Sequence, residues 1–382
     1  MSPEEIELLS QLTIVIPTYN QPLKLERAIE YWRDTPVTVH ILDGSDKPWF
    51  PVGVLSLASN ISYNHIPSKP GEQWLDNYVR RLEFATSLTK TKYSALCAED
   101  DSFSIVGLRT ALGLLENNLN LDAVVGQTLG FLPHVNSVRW WLRYGVSSFG
   151  SVFSWDADAV VRLRRSDLRL YYGVVRTDLW NKRVQIVKSN TWLGPRWESL
   201  FQDVSRAMFR AISINHVVWF RFKTVIHPHE AEHVYMREWS NGQGSDNEVD
   251  AYVDILVEAV CLGNPGLDQH QIKKKIRKFV KNHPESRGQF PRFKTLKIAI
   301  LMKLFSRLDE STVSNFPAGI HEIVRRYYLP DRIAGAIGSK KVLDEFLPSL
   351  LKSGISFDLD ELKNLEKLWL KPREELRLRA NI

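Results

Sequence analysis

The run Leu12-Thr13-Ile14-Val15-Ile16, closed by Pro17, constrains the fold more than any other stretch. Apolar and β-branched residues without a polar alternate suit a buried strand, and Thr18, Tyr19 and Asn20 form its exit loop. Pro22 opens a helix over residues 23–33, with Leu25, Ala28, Ile29 and Trp32 at helical spacing. A second strand is expected over residues 37–42, closed by the turn Asp43-Gly44-Ser45. Strand, helix and strand with a tight return make a βαβ unit, so the two strands lie parallel across a right-handed crossover.

The pattern continues with a strand over 61–66, a turn at Lys69-Pro70-Gly71, a helix over 72–88 and a strand over 93–97. That last strand runs into Glu99, Asp100 and Asp101. Three adjacent carboxylates repel one another, and hard oxygen donors of this kind suit Mg²⁺ or Mn²⁺, which in turn suit phosphates. Alone, the triplet reads better as a solvated turn before the helix that begins near Ser104. Its position decides between these readings. Three strands deliver polar loops (18–20, 43–46 and 99–101) to the carboxyl edge of one sheet, where open parallel sheets bind ligands.

A helix over 105–117 and a strand over 122–132 follow. Residues 138–152 are rich in aromatic and basic side chains, including Arg139, Trp140, Trp141, Arg143 and Tyr144. They suit stacking on sugars or bases, or simply the cover of a sheet. Residues 171–180 read as a strand leading into a helix. The helical stretch within 192–214 carries Glu198, Asp203 and Arg206 around an apolar face of Leu200, Phe201, Val204, Met208 and Phe209. A half-buried Asp203 suits a general base, although taken alone a surface pair with Arg206 is the favoured reading. A further strand over 217–226 leads to His227, His229, Glu230 and His233, where Pro228 argues against a helical zinc pair. The Gly-rich run 240–245 marks a boundary between residues 1–245 and 246–382.

Beyond it, helices are expected over 249–262, 269–282, 293–308, 319–328, 343–352 and 360–370. The chain carries a net charge of +6, and Lys273, Lys274, Lys275, Arg277, Lys278 and Lys281 cluster in this part. Such a face suits anionic lipid, a phosphorylated acceptor or plain solvation. Cys97 and Cys261, the two cysteines, form no spaced motif, which excludes a disulfide framework. The acidic start is no secretory signal, and no apolar run is long enough to span a bilayer. A cytoplasmic protein is expected, with peripheral membrane contact at the inner face through the basic helices.

Ile14-Val15-Ile16-Pro17-Thr18-Tyr19-Asn20, Leu42-Asp43-Gly44-Ser45 and Glu99-Asp100-Asp101 resemble the motifs of glycosyltransferase family 2 over the first two-thirds of the chain. The resemblance implies an α/β GT-A fold, a Rossmann-like mostly parallel sheet with flanking helices, here followed by an all-helical C-terminal extension. It implies an inverting transfer from a nucleotide-diphosphate sugar, preferably UDP-linked, to a hydroxyl of a glycan or lipid-linked acceptor. Pro17, Thr18, Tyr19 and Asn20 would line the donor site, Asp43 would contact the base, and Glu99 and Asp100 would contact the donor. Asp101 would hold Mn²⁺ or Mg²⁺, with His233 as a further ligand, and Arg237 would face the diphosphate. Gln202-Asp203 fits the family's base position with Gln for Glu, so Asp203 is the candidate base and Glu198 the reserve.

Three other readings stand beside this one. A nucleotidyltransferase would show a Gly-rich phosphate loop where this chain has Thr18-Tyr19-Asn20-Gln21-Pro22. A catalytically silent nucleotide-sugar-binding scaffold would keep the site and use the helical tail for a partner or for homo-oligomerisation. Nucleic acid is not an expected partner, because the tail carries no recognised binding motif.

Overall fold

The computed structural model describes residues 1–48, 58–134, 136–142, 161, 163, 170–222, 246–263, 266–282 and 341–371. Among them, nine strands form one sheet in the order β3-β2-β1-β4-β8-β6-β9-β5, with β7 paired to β6. One half of the sheet is parallel. β1 (Leu12–Thr18) lies between β2 (Thr38–Asp43) and β4 (Tyr93–Leu96), and β3 (Ile61–His65) pairs outside β2. Helix α1 (Pro3–Ser10) precedes β1, and α2 (Pro22–Trp32) is the crossover to β2. α3 (Trp74–Leu88) connects β3 to β4.

The other half is mixed. β5 (Ser102–Phe103), α4 (Ile105–Asn117), β6 (Ala123–His134), β7 (Ser137–Leu142), β8 (Val174–Arg176), α5 (Thr177–Lys188), α6 (Trp197–Met208) and β9 (Ala211–Phe222) follow in order. β8 enters antiparallel between β4 and β6, whereas β6 and β9 pair in parallel. The α/β class expected from the sequence is therefore present, with its antiparallel members gathered beyond β4. Trp140 and Trp141 are buried on β7, so this described part of the aromatic stretch covers the sheet; residues 143–152 lie outside the described residues.

Every residue of β1 is buried, because the sheet is covered on both faces. Leu12, Ile14 and Ile16 join one core with Leu25, Ala28, Ile29 and Trp32 of α2 and Leu108 and Leu112 of α4. Val15, between them in the pleat, faces a second core shared with α3, α5 and α6. The helical tail enters both this core and a third. α7 (Asp246–Gly263) and α8 (Gln269–Asn282) add Tyr252, Val253, Leu256, Ile276 and Val280 to the second core. α9 (Leu343–Lys352) and α10 (Leu359–Leu370) pack Phe346, Leu350, Leu362, Leu365 and Trp369 on Leu129, Phe131, Trp140 and Phe220 of the sheet. The expected helices over 293–308 and 319–328, and the boundary run 240–245, lie outside the described residues. No described helix is long and apolar enough to cross a membrane.

Candidate donor site at the carboxyl edge of the sheet

β1 is flanked by β2 on one side and β4 on the other, all three parallel, so the winding of the sheet changes direction there. The crevice outside the ends of β1 and β4 is a topological switch point. Pro17, Thr18, Tyr19 and Asn20 leave β1 at this edge. Asn20 takes a left-handed φ of 52°, which Asn tolerates, and its N–H donates to Ser45 Oγ at 2.8 Å.

Asp43, the last residue of β2, ties this edge together. Its Oδ1 accepts from the Ser45 N–H at 2.9 Å and from Ser45 Oγ at 2.5 Å, and its Oδ2 accepts from the Tyr63 hydroxyl at 2.5 Å. The Gly44 N–H donates to the Thr18 carbonyl at 3.0 Å. Arg81 of α3 reaches into the same place, and its Nη1 donates to the carbonyls of Thr18 at 2.6 Å and Leu42 at 3.0 Å. Burial lowers the Arg81 pKa, opposed by the nearby Tyr78, Asp43 and Glu99. Gly44 is required by this approach: a Cβ there would sit 2.6 Å from Asn77 Oδ1 and 2.8 Å from Arg81 Cζ. Thr18 Oγ1 and Arg81 Nε are buried without a hydrogen-bond partner among the described residues, which leaves polar groups at the edge for a ligand.

The acidic triplet divides its work. Asp100 pairs with Lys24 of α2 at 2.8 Å. Asp101 is buried and turned toward β9, where its Oδ2 accepts from Trp219 Nε1 and its Oδ1 from the Phe222 N–H, both at 3.0 Å. Glu99 is half-buried, and its pKa is pushed up to about 7, first by desolvation and then by Asp100, against Lys24 and Arg81. A carboxylate so poorly compensated suits a cation beside it. Among the described residues no three His, Cys, Asp or Glu side chains converge as a metal cage. One or two carboxylates, completed by substrate phosphates and water, are nevertheless the usual protein share of a Mg²⁺ site. Glu99 and Asp100 fit that share, whereas Asp101, the ligand that the family motif implies, commits both oxygens to Trp219 and Phe222.

Two candidate bases sit on α6. Asp203 faces α7: its Oδ1 accepts from Arg206 Nη1 at 2.8 Å and its Oδ2 from the Tyr252 hydroxyl at 2.8 Å. Gln202 accepts from the Tyr171 N–H at 2.7 Å. Glu198 is exposed in the first turn of α6, beside a set of tyrosines. The Tyr78 and Tyr171 hydroxyls meet at 2.7 Å, and Tyr172 stacks on Trp219 at 4.2 Å. The Tyr78 pKa is pushed up to about 12, chiefly by burial, and both Glu198 and Glu99 add to the rise. One phenol thus feels both Glu198 and Glu99.

Arg237, His227, His229, Glu230 and His233 lie outside the described residues. Lys24, Tyr63, Tyr78 and Arg81 are the site residues that motif reading passes over. Asn77 and Arg81 are polar side chains four apart on a second face of α3, buried as Leu75, Val79 and Leu82 are on the first.

No protein-family model matches the chain, and no curated protein matches it in sequence. Solved structures of S. aureus TarS overlap with it. TarS residues 1–349 match at 12% identity and a TM-score of 0.42, over 96% of this chain and 91% of that one. The same fragment in complex with UDP matches at 12% identity and a TM-score of 0.44, over 96% and 91% of the two chains. Its complex with UDP-GlcNAc gives 12% identity and a TM-score of 0.42 over the same shares. At this degree of overlap the reading of the site rests on its own residues.

Proposed function

We propose that the chain is a glycosyltransferase of the family 2 type that moves a sugar from a nucleotide-diphosphate donor to a hydroxyl acceptor with inversion. The observation that carries this is the convergence of the β1, β2 and β4 exit loops, with the Glu99–Asp101 triplet, at the switch point between β1 and β4. The loop around Asp43, Ser45 and Tyr63 takes the nucleoside, UDP by the family's preference. Lys24 and Arg81 are cations within reach of the diphosphate side.

Glu99 and Asp100 are the residues that would hold Mn²⁺ or Mg²⁺, with Asp101 fixing their loop. A divalent ion bound there supplies positive charge against the charge that builds on the leaving diphosphate. Glu198 takes the proton of the acceptor hydroxyl as that oxygen attacks the anomeric carbon from the face opposite the leaving group. Asp203, the base expected from the Gln202-Asp203 pair, serves instead to join α6 to α7. The acceptor is a glycan or a lipid-linked sugar in surface polysaccharide or glycoconjugate synthesis. The exposed Lys274, Arg277 and Lys278 of α8 suit an anionic membrane surface that would carry such a lipid.

Calorimetric titration with UDP, GDP, CDP and dTDP, each with Mn²⁺ and with EDTA, tests the reading. Metal-dependent binding of one nucleotide is expected, and it names the base. Absence of binding by the folded protein to all four would remove the donor site and leave a scaffold role.

A further inference from the structure

The acidic loop is held from behind by the last described helix of the chain. Phe222, whose N–H fixes Asp101, stacks on Trp369 of α10 with ring centroids 4.6 Å apart and planes 16° apart. Lys24, the partner of Asp100, lies over the Phe222 ring at 5.3 Å. Arg27, one helical turn on, lies over the Trp369 ring at 5.2 Å. Lys371 pairs with Glu30 of α2 at 3.3 Å. Just past the loop, Glu361 of α10 accepts from the Ser104 hydroxyl and from the Val106 N–H at 3.0 Å, completing the cap of α4. Asp358 fixes Glu361 in turn by accepting its N–H at 2.9 Å.

We propose that α10 is a brace of the donor site, and that Glu361 and Trp369 are positioning residues that set where Glu99 and Asp100 stand. Two contacts from chain more than 100 residues away hold the C-terminal side of the loop, at Asp101 through Phe222 and at Ser104 through Glu361. A two-carboxylate site depends on the placement of its loop, because among the described residues no third His, Cys, Asp or Glu joins the pair. The tail so acts on the donor, not only on an acceptor or a membrane. This inference rests on the donor-site reading above.

Glu361→Ala, Trp369→Ala and the conservative Trp369→Phe variants test it in the full-length protein. Amide hydrogen exchange is read alongside nucleotide affinity in Mn²⁺. In Glu361→Ala, exchange over residues 98–106 and at Phe222 is expected to quicken by about tenfold or more, with β1 to β3 unchanged. Nucleotide affinity should weaken by about tenfold, and Trp369→Phe should keep wild-type values for both readouts. Should Trp369→Ala fail to fold, Glu361→Ala and Trp369→Phe carry the test. Unchanged exchange over 98–106, or faster exchange spread evenly through the chain, would overturn the brace. If the wild-type protein binds no nucleotide, the donor-site reading falls, while the exchange result still decides whether α10 holds the loop.

Discussion

Glu99 concentrates the electrostatics of the site in one carboxyl group. Its pKa is about 7 in the native protein against 4.5 for an ordinary glutamate, so between those values the folded state binds more protons than the unfolded chain. Stability therefore falls as pH rises through that window and is flat above it. Glu99→Gln removes the penalty. It should raise unfolding stability at pH 8 by roughly 1–3 kcal/mol, discounted for the partial exposure of the group, and change it little at pH 4. Urea melts at the two pH values measure this, and an equal shift at both would refute the assignment. On α6 the two acids separate by what they touch. Glu198→Gln should lower turnover by about a hundredfold or more while nucleotide binding persists, as loss of a general base does. Asp203→Asn disturbs the contacts with Arg206 and Tyr252 and should cost about 1 kcal/mol of stability with turnover largely kept. Steady-state kinetics and denaturant melts on both variants distinguish the roles.

At the scale of elements, α3 is the part that converts a sheet edge into a site. It lies so close to the β2 exit that only glycine fits at position 44, between the turn and the Asn77–Arg81 side chains. Gly44→Ala forces Arg81 off the Thr18 and Leu42 carbonyls and should cost about 1–3 kcal/mol, read as a lowered urea midpoint. What was legible in the sequence follows the same division between local and distant contacts. α4, α8 and α9 have the bounds that periodicity predicts, and α2 buries the four apolar positions read from its spacing. The gathering of the three polar loops was legible because βαβ handedness and strand order leave few other arrangements. β8 was half legible: its strand run shows in residues 171–180, but its insertion between β4 and β6 has no local signature. Strand β9 begins at Ala211, ahead of the expected 217: Ala211–Ser213 pair with β6, and a shift of register before Val217 leaves His216 to bridge to Ser356 of the tail. The roles of Lys24, Arg81, Glu361 and Trp369 depend on partners up to hundreds of residues away, and no periodicity encodes those.

For the whole molecule the question is whether the catalytic segment and the helical tail are two folding units. The Gly-rich run at 240–245 divides the sequence by composition, yet the cores ignore the division. Val15 and Leu42 of the sheet share one cluster with Leu256 and Ile276 of the tail, and Leu129 and Phe131 share another with Leu362 and Trp369. Removing α9 and α10 would bare the rings of Phe131, Trp140 and Phe220 to water at once, a loss of several kcal/mol against a total stability that is itself only about 5–15 kcal/mol. Elements that cannot lose one another's contacts without such a loss unfold together. Urea unfolding followed by tryptophan fluorescence and by far-UV circular dichroism should therefore give coincident transitions. A chain ending at residue 245 should fail to reach a cooperative folded state, because α6 would present Phe201, Val204 and Met208 without α7. Two resolved transitions in the full chain, or a cooperative melt of the shortened one, would show that the tail is an attachment to an independent sheet domain rather than part of what holds that sheet together.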